Sequence, residues 1–121
     1  MTDFAQAQAQ AKAEGKLLLL DFTGSDWCGW CKLMEKEIFS QPAFADYAGK
    51  KLVLVRLDFP RAKPISPEVR EQNQTLAQKF GIRGFPTIVM LNGDGKPVGE
   101  LGYVRGGPDA FISQLEHLPK S

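Results

Sequence analysis

The stretch Leu17-Leu18-Leu19-Leu20-Asp21-Phe22-Thr23-Gly24-Ser25-Asp26-Trp27-Cys28-Gly29-Trp30-Cys31-Lys32 decides how this chain is read. Leu17 to Thr23 is a nearly continuous apolar run ending in a polar turn, the pattern of a central strand buried on both faces. Gly24-Ser25-Asp26 breaks that strand. From Gly29 to Phe39, residues Leu33, Met34, Glu37 and Ile38 recur at helical spacing. Two cysteines three residues apart therefore fall where a buried strand gives way to a helix.

That position has chemical consequences. The first N–H groups of a helix lack intrahelical partners and carry partial positive charge. Both effects stabilise a thiolate, so the Cys28 pKa is expected below the free value of about 8.5. The thiolate is the attacking species in disulfide exchange. Cys31 lies one turn further in, within bonding reach of Cys28, which predicts an exposed nucleophile and a buried resolving thiol. Competing readings of the pair are weaker. A structural zinc site takes about four ligands, and the chain offers two Cys and a sequence-distant His117. Covalent haem attachment needs His after the second cysteine, where Lys32 stands. A purely structural pair is the remaining alternative.

Working outward, Thr2 to Lys16 reads as an Ala-rich helix capped by Asp3, with Gln6 as capping-box partner. Its apolar face (Phe4, Ala7, Ala11) is thin, which predicts packing at the edge of the domain. Ser40 caps and Pro42 opens a short helix to about Tyr47. Lys51 to Asp58 is a second strand. Phe59 to Pro67 holds three prolines and reads as an exposed loop. Ser66 caps a helix from Pro67 to Phe80, which Gly81 stops. Pro86 to Leu91 and Lys96 to Val104 are strands joined by the turn Asn92-Gly93-Asp94-Gly95, and Gly107-Pro108 opens a last helix to about Leu118. The order α-β-α-β-α-β-β-α predicts one α/β domain over 1–121, a mixed four-stranded sheet with helices on both faces. The two β-α-β crossovers predict parallel neighbours, and the hairpin predicts an antiparallel edge strand.

Composition narrows the function. Lys plus Arg number 15 and Asp plus Glu 14, a net charge of +1, which argues against a polycationic nucleic-acid binder. Leu, Ile, Val and Phe make up about 26% of the 121 residues, above the roughly 20% below which disorder is the rule. No unbroken apolar run is longer than Leu17 to Leu20, far short of the about 20 residues that span a bilayer, so no membrane insertion is predicted. Two cysteines so close together enclose too little chain to staple a secreted scaffold. Met1 to Gly15 is Ala/Gln-rich, without a basic start or an apolar run before a cleavage site. It fits a cytoplasmic chain, or a mature chain whose leader has been removed.

Two further features accompany the cysteines. Asp21 sits near the end of an apolar strand, where a carboxylate is costly without a partner or a role. Desolvation there raises its pKa. It is either a proton relay for Cys31 or a cap on a nearby backbone group. Arg56, in the neighbouring strand, is its candidate partner, or else a snorkelling edge charge. In Gly84-Phe85-Pro86-Thr87, a proline opens a buried strand. Proline is the residue for which a cis bond is cheap, and a cis bond here would free the Phe85 backbone to pair with an extended peptide.

Taken together, these motifs resemble the thioredoxin superfamily over about Leu17 to Leu118. The carriers are the apolar strand with Asp21, the segment Trp27-Cys28-Gly29-Trp30-Cys31-Lys32, the strand Lys51 to Asp58, and Gly81-Ile82-Arg83-Gly84-Phe85-Pro86-Thr87. The resemblance implies a thioredoxin-like fold, with Cys28 as nucleophile, Cys31 as resolving thiol and Pro86 as the cis-proline beside them. It puts Asp21 at the family's buried acid and Arg56 where many thioredoxins carry a buried lysine. The chain departs from the pattern in five ways. One extra residue separates Asp21 from Cys28, Trp30 replaces the usual proline between the cysteines, and Lys36 stands where a helix-kinking proline is common. The family's first strand is replaced by the Ala/Gln helix, and the Pro-rich insert after Asp58 is longer.

These departures form a pattern of their own. Asp21 to Cys28, then Val55-Arg56-Leu57-Asp58-Phe59-Pro60, then Gly84-Phe85-Pro86, resemble bacterial thioredoxin-like proteins of the DsbH type, which are periplasmic disulfide reductases. The resemblance implies an extracytoplasmic, monomeric thiol–disulfide oxidoreductase that acts on disulfide-bearing client proteins and is recharged by an upstream thiol reductase. Trp27, Gly29, Trp30, Phe85 and Pro86 are the implied client-contacting residues. No metal or organic cofactor is implied beyond the redox-active Cys28–Cys31 pair. Trp27, Gly29 and Trp30 bring no cation to Cys28, Asp26 is negative, and Lys32 reads as solvent-facing. A moderately acidified Cys28, and hence a reductant, is the expectation. The alternatives are a non-catalytic client-binding module and a disulfide oxidase or isomerase.

Overall fold

A computed structural model describes residues 1–118. Helix α1 spans Phe4–Glu14, strand β1 Leu17–Thr23 and helix α2 Gly29–Met34, which continues as a π-helical segment over Glu35–Phe39. Helix α3 (Pro42–Lys51), strand β2 (Leu52–Asp58), helix α4 (Pro67–Lys79), strands β3 (Thr87–Leu91) and β4 (Pro97–Leu101), and helix α5 (Gly107–Glu116) follow. The sheet order is β2-β1-β3-β4. This is the thioredoxin-like mixed sheet with helices on both faces.

The apolar run becomes the central strand because both of its faces are covered. Leu18, Leu20 and Phe22 join Val53, Val55, Leu57, Val89 and Leu91 under Ala7 and Ala11 of α1 and Leu76 of α4. Leu19 points the other way, to Met34, Ile38, Phe44, Ile88, Met90, Phe111 and Leu115. Phe22, Phe44 and Phe111 are fully buried, and burying one such side chain stabilises by about 1.5–3 kcal/mol. Phe39, Phe44 and Phe111 meet edge to face at 5.1–5.9 Å, which anchors the far end of the cysteine-bearing helix to α3 and α5.

Several expectations are corrected. β1 and β2 are parallel, with Asp21 opposite Arg56, but β3 runs antiparallel to β1, with Phe22 opposite Thr87. The segment after α4 therefore re-enters the sheet at the end where β1 finishes, so the second crossover yields no parallel neighbour. Helix α1 lies over the core rather than at the edge, because Ala7 and Ala11 are small enough for close approach and are fully buried. Ser40 does not cap α3. Its hydroxyl donates to the Lys36 carbonyl, Gln41 stands at the cap position without a side-chain bond, and Pro42 opens the helix.

Other local signals hold. Asp3 accepts from the Gln6 N–H at 2.9 Å and Ser66 from the Val69 N–H at 3.2 Å. Gly81 ends α4 at φ 65°, a conformation that favours glycine. Asn92 closes the β3–β4 turn by accepting from the N–H groups of Asp94 and Lys96. The outer edge of β2 is partly covered by Met1, whose amino group donates to the Leu54 carbonyl and whose carbonyl accepts from the Arg56 N–H.

Candidate active site

Cys28 and Cys31 form a disulfide with Cα atoms 5.2 Å apart. Cys28 is the N-cap of α2, and its sulfur accepts from the Cys31 N–H at 3.2 Å. The orphan donor of the helix start thus points at the Cys28 sulfur, the arrangement that favours negative charge there. The expected contrast in exposure is absent in this disulfide form, where Cys28 is 6% and Cys31 5% exposed. The asymmetry between the sulfurs lies in the capping hydrogen bond.

The turn before Cys28 is tightly closed. The N–H groups of Trp27 and Cys28 both donate to the Gly24 carbonyl, at 3.2 and 2.8 Å. Gly24 is buried, and a Cβ there would overlap the Trp27 ring, so the indole takes its place only because residue 24 is glycine. Asp58, at the end of β2, holds the turn from the side by accepting from the N–H and hydroxyl of Ser25. The Trp27 indole N–H donates to the Phe59 carbonyl at 2.7 Å.

Aromatic side chains flank the disulfide. Trp27 meets Phe85 edge-on at 5.7 Å, and Phe59 packs against Phe85 at 5.2 Å. On the other side, Trp30 is 57% exposed and leans on Tyr103 at 5.2 Å. The Tyr103 hydroxyl donates to Glu37. The Phe85–Pro86 peptide bond is cis, and Thr87 beyond it pairs with Phe22 at the end of β1. Gly29 is exposed between the two cysteines.

Asp21 lies on the face of β1 that α2 covers, since it alternates in phase with Leu19. Burial pushes its carboxyl up to about 7, against the Arg56 guanidinium, which lowers it, while Glu35 and Asp58 raise it further. A cavity of about 240 Å³ reaches it, lined by Leu19, Glu35, Phe39, Leu54 and Arg56 among others. Arg56 Nη2 bonds Glu35 Oε2 at 3.5 Å, so this cation acts on Asp21 through space while its ion pair ties β2 to the π-helical segment.

Sequence reasoning missed the partners of the Pro-rich insert. The two carboxylate oxygens of Asp26 accept from the N–H groups of Arg61 and Ala62 at 3.0 and 2.8 Å. Those bonds hold its carboxyl below the usual range. The Arg61 guanidinium lies 3.8 Å from the centre of a Trp27 ring. The signal was the length of the insert, but nothing local says where a loop docks.

The Thioredoxin-like domain family matches residues 4–119. The chain belongs to this family. This thioredoxin-like chain is 35% identical over 117 residues to "Disulfide bond reductase DsbH" of Chlamydia pneumoniae, an alignment covering 97% of this chain and 70% of that protein. A solved structure described as "DsbH Oxidoreductase" superposes with a TM-score of 0.90 at 35% identity, over 94% of this chain and 79% of that one. The reduced C-terminal domain of DsbD from Neisseria meningitidis matches at a TM-score of 0.68 and 26% identity, over 98% of both chains. With the Cys28–Cys31 disulfide at the head of α2, the thioredoxin-like protein is a thiol–disulfide oxidoreductase. Among the described residues, no group of three or more His, Cys, Asp or Glu side chains could hold a metal ion.

Proposed function

We propose that the protein reduces disulfides of client proteins outside the cytoplasm, acting as a monomeric single domain over 1–121. The observation that carries this reading is the Cys28 sulfur at the N-cap of α2, in a chain that aligns over 97% of its length with 70% of a disulfide reductase. In the reduced form, the Cys28 thiolate attacks one client sulfur. The client S–S bond breaks, its electron pair leaves with the other client sulfur, and that thiolate takes a proton from solvent. Cys31 passes its proton to Asp21 and attacks the Cys28 sulfur. The client's first sulfur departs as a thiolate, and the Cys28–Cys31 bond forms. Two electrons have moved to the client, and an upstream thiol reductase restores the dithiol.

The other residues have supporting roles in this reading. Trp27, Gly29, Trp30, Phe85 and Pro86 line the approach to the disulfide, and the Phe85 backbone pairs with an extended client segment. Arg56 keeps the Asp21 carboxyl from rising further by lowering its pKa through space. No metal or organic cofactor takes part.

Insulin reduction by dithiothreitol tests this. The reductase accelerates precipitation of the insulin B chain, whereas a binding module leaves the rate at background. Equilibration with glutathione at pH 7 then gives direction. A potential near the roughly −270 mV of a reducing member of this fold supports the reading, and one near the roughly −120 mV of its strongest oxidant overturns it.

A further inference from the structure

The insert after β2 is docked on the active-site turn by four interactions, and all of them converge on two residues next to Cys28. Asp26 receives the N–H groups of Arg61 and Ala62. Trp27 donates its indole N–H to Phe59 and carries the Arg61 guanidinium over its ring. A carboxylate accepting two adjacent backbone N–H groups fixes the direction in which the intervening side chain leaves the loop. Asp26 thereby aims Arg61 at Trp27, the residue preceding the nucleophile.

The carboxylates at this rim keep their charge, but each already has hydrogen-bond partners. Asp26 is engaged by the loop backbone, Asp58 by Ser25 and by Lys63 at 3.5 Å, and Glu37 by Tyr103. Arg61 is exposed and makes no ion pair among the described residues. Lys32, Arg83 and Arg105, close in sequence to Cys31, Phe85 and Tyr103, are likewise exposed and without an ion pair among the described residues. In a chain whose net charge is only +1, Arg61 is the cation that the structure places against the residue preceding Cys28.

We propose that Arg61, positioned by Asp26 and seated on Trp27, is a specificity-determining residue that favours client segments with an acidic side chain beside the reacting disulfide. The inference rests on the client-reductase reading above and deepens it. A guanidinium stacked on an indole keeps its edge donors outward, so a carboxylate on a passing segment is met by a preoriented fork. Trp27, Trp30 and Phe85 offer aromatic surface that accepts many sequences. The charge term is what discriminates among them.

The test uses two synthetic peptides, each closed by one disulfide and differing only in Glu or Lys beside the first half-cystine. Second-order exchange rates with the reduced full chain are measured at low salt. The Glu peptide reacts about 1.5- to five-fold faster, the range open to one solvent-facing ion pair, and the ratio falls toward one in 1 M salt. Arg61→Lys retains most of the preference, Arg61→Ala lowers it, and Arg61→Glu reverses it. Asp26→Asn, with one carbonyl oxygen left to accept, weakens it. A merely structural role for Arg61 changes both rates together and leaves the ratio alone. An unchanged ratio in Arg61→Glu overturns the inference while the reductase reading stands. If the reduced chain exchanges with neither peptide, the reductase reading falls. The same ratio, measured from the oxidised chain with the dithiol peptides, then decides the inference separately.

Discussion

The indole of Trp27 stands edge-on to the ring of Phe85, with 5.7 Å between centroids and 87° between planes. Trp27 precedes Cys28 and Phe85 precedes Pro86, so this one contact joins the cysteine turn to the cis-proline loop, segments far apart in the chain. Phe59 packs on the same Phe85 ring and its carbonyl holds the Trp27 indole N–H. Three loops that share no regular secondary structure are thereby locked around one aromatic ring.

A double-mutant cycle with Trp27→Leu and Phe85→Leu should show a coupling of about 0.5–1.5 kcal/mol, the usual worth of an edge-to-face pair beyond its burial. Urea unfolding of the four proteins supplies the numbers. Strict additivity would mean that the two loops are held independently.

In the reduced protein, Cys28 should titrate below the free thiol value of about 8.5, because the Cys31 N–H stabilises its thiolate. Cys31 lacks that cap and should alkylate slowly. Iodoacetamide labelling from pH 5 to 9, with the modified residue identified by mass, reads both. Preferential labelling of Cys31 would reverse the assignment of nucleophile and resolving thiol.

Cys31→Ser should accumulate long-lived mixed disulfides between Cys28 and clients, since nothing remains to displace them, while Cys28→Ser should accumulate none. Non-reducing gels after mixing with a denatured disulfide protein show the difference. Equal trapping by both variants would mean that the two thiols are interchangeable.

Asp21→Asn should have two opposite effects. The folded carboxyl has a pKa of about 7 against an ordinary 3.8, so the native state disfavours its ionised form. Below pH 3.8 it is neutral in both states and carries no penalty. As pH rises towards and through 7, the unfolded chain gains progressively from ionisation and stability falls. The variant, uncharged throughout, escapes this loss, and at pH 8 it should be more stable than wild type by up to about 4 kcal/mol. Meanwhile its mixed disulfides should resolve more slowly near neutral pH, because the group proposed to accept the Cys31 proton is gone. Urea melts at pH 5 and 8 test the first effect and single-turnover resolution the second. Stability curves that run parallel in pH would show that Asp21 is not desolvated, and an unchanged resolution rate would make it structural only.

Residues whose environment is their own neighbourhood could be read directly. Asp3 and Ser66 cap their helices through N–H groups three residues on, Gly81 ends α4 by its own φ, and Asn92 closes its turn within four residues. Ser40 shows the limit of that reading. Two successive helices competed for it, and its hydroxyl went back to Lys36 rather than forward to α3. Arg56 shows another. Its register opposite Asp21 followed from two adjacent parallel strands, but its ion pair went to Glu35, which the π-helical segment brings within reach.

The sequence by itself determined the chemistry of the pair and the layers around it. The three-residue cysteine spacing, the helix start and the run of apolar residues that marks Leu17 to Thr23 for burial are all written within Leu17 to Cys31, although the burial itself is completed by distant elements. Only the tertiary structure decided the direction of β3, the pairing of Arg56 with Glu35, and the seating of Arg61 on Trp27 by Asp26. Each of these depends on groups distant in the chain meeting within a few ångströms. Hydrogen bonds and desolvation act only over such distances, and the periodicity of a sequence carries no record of which loop will arrive beside which turn.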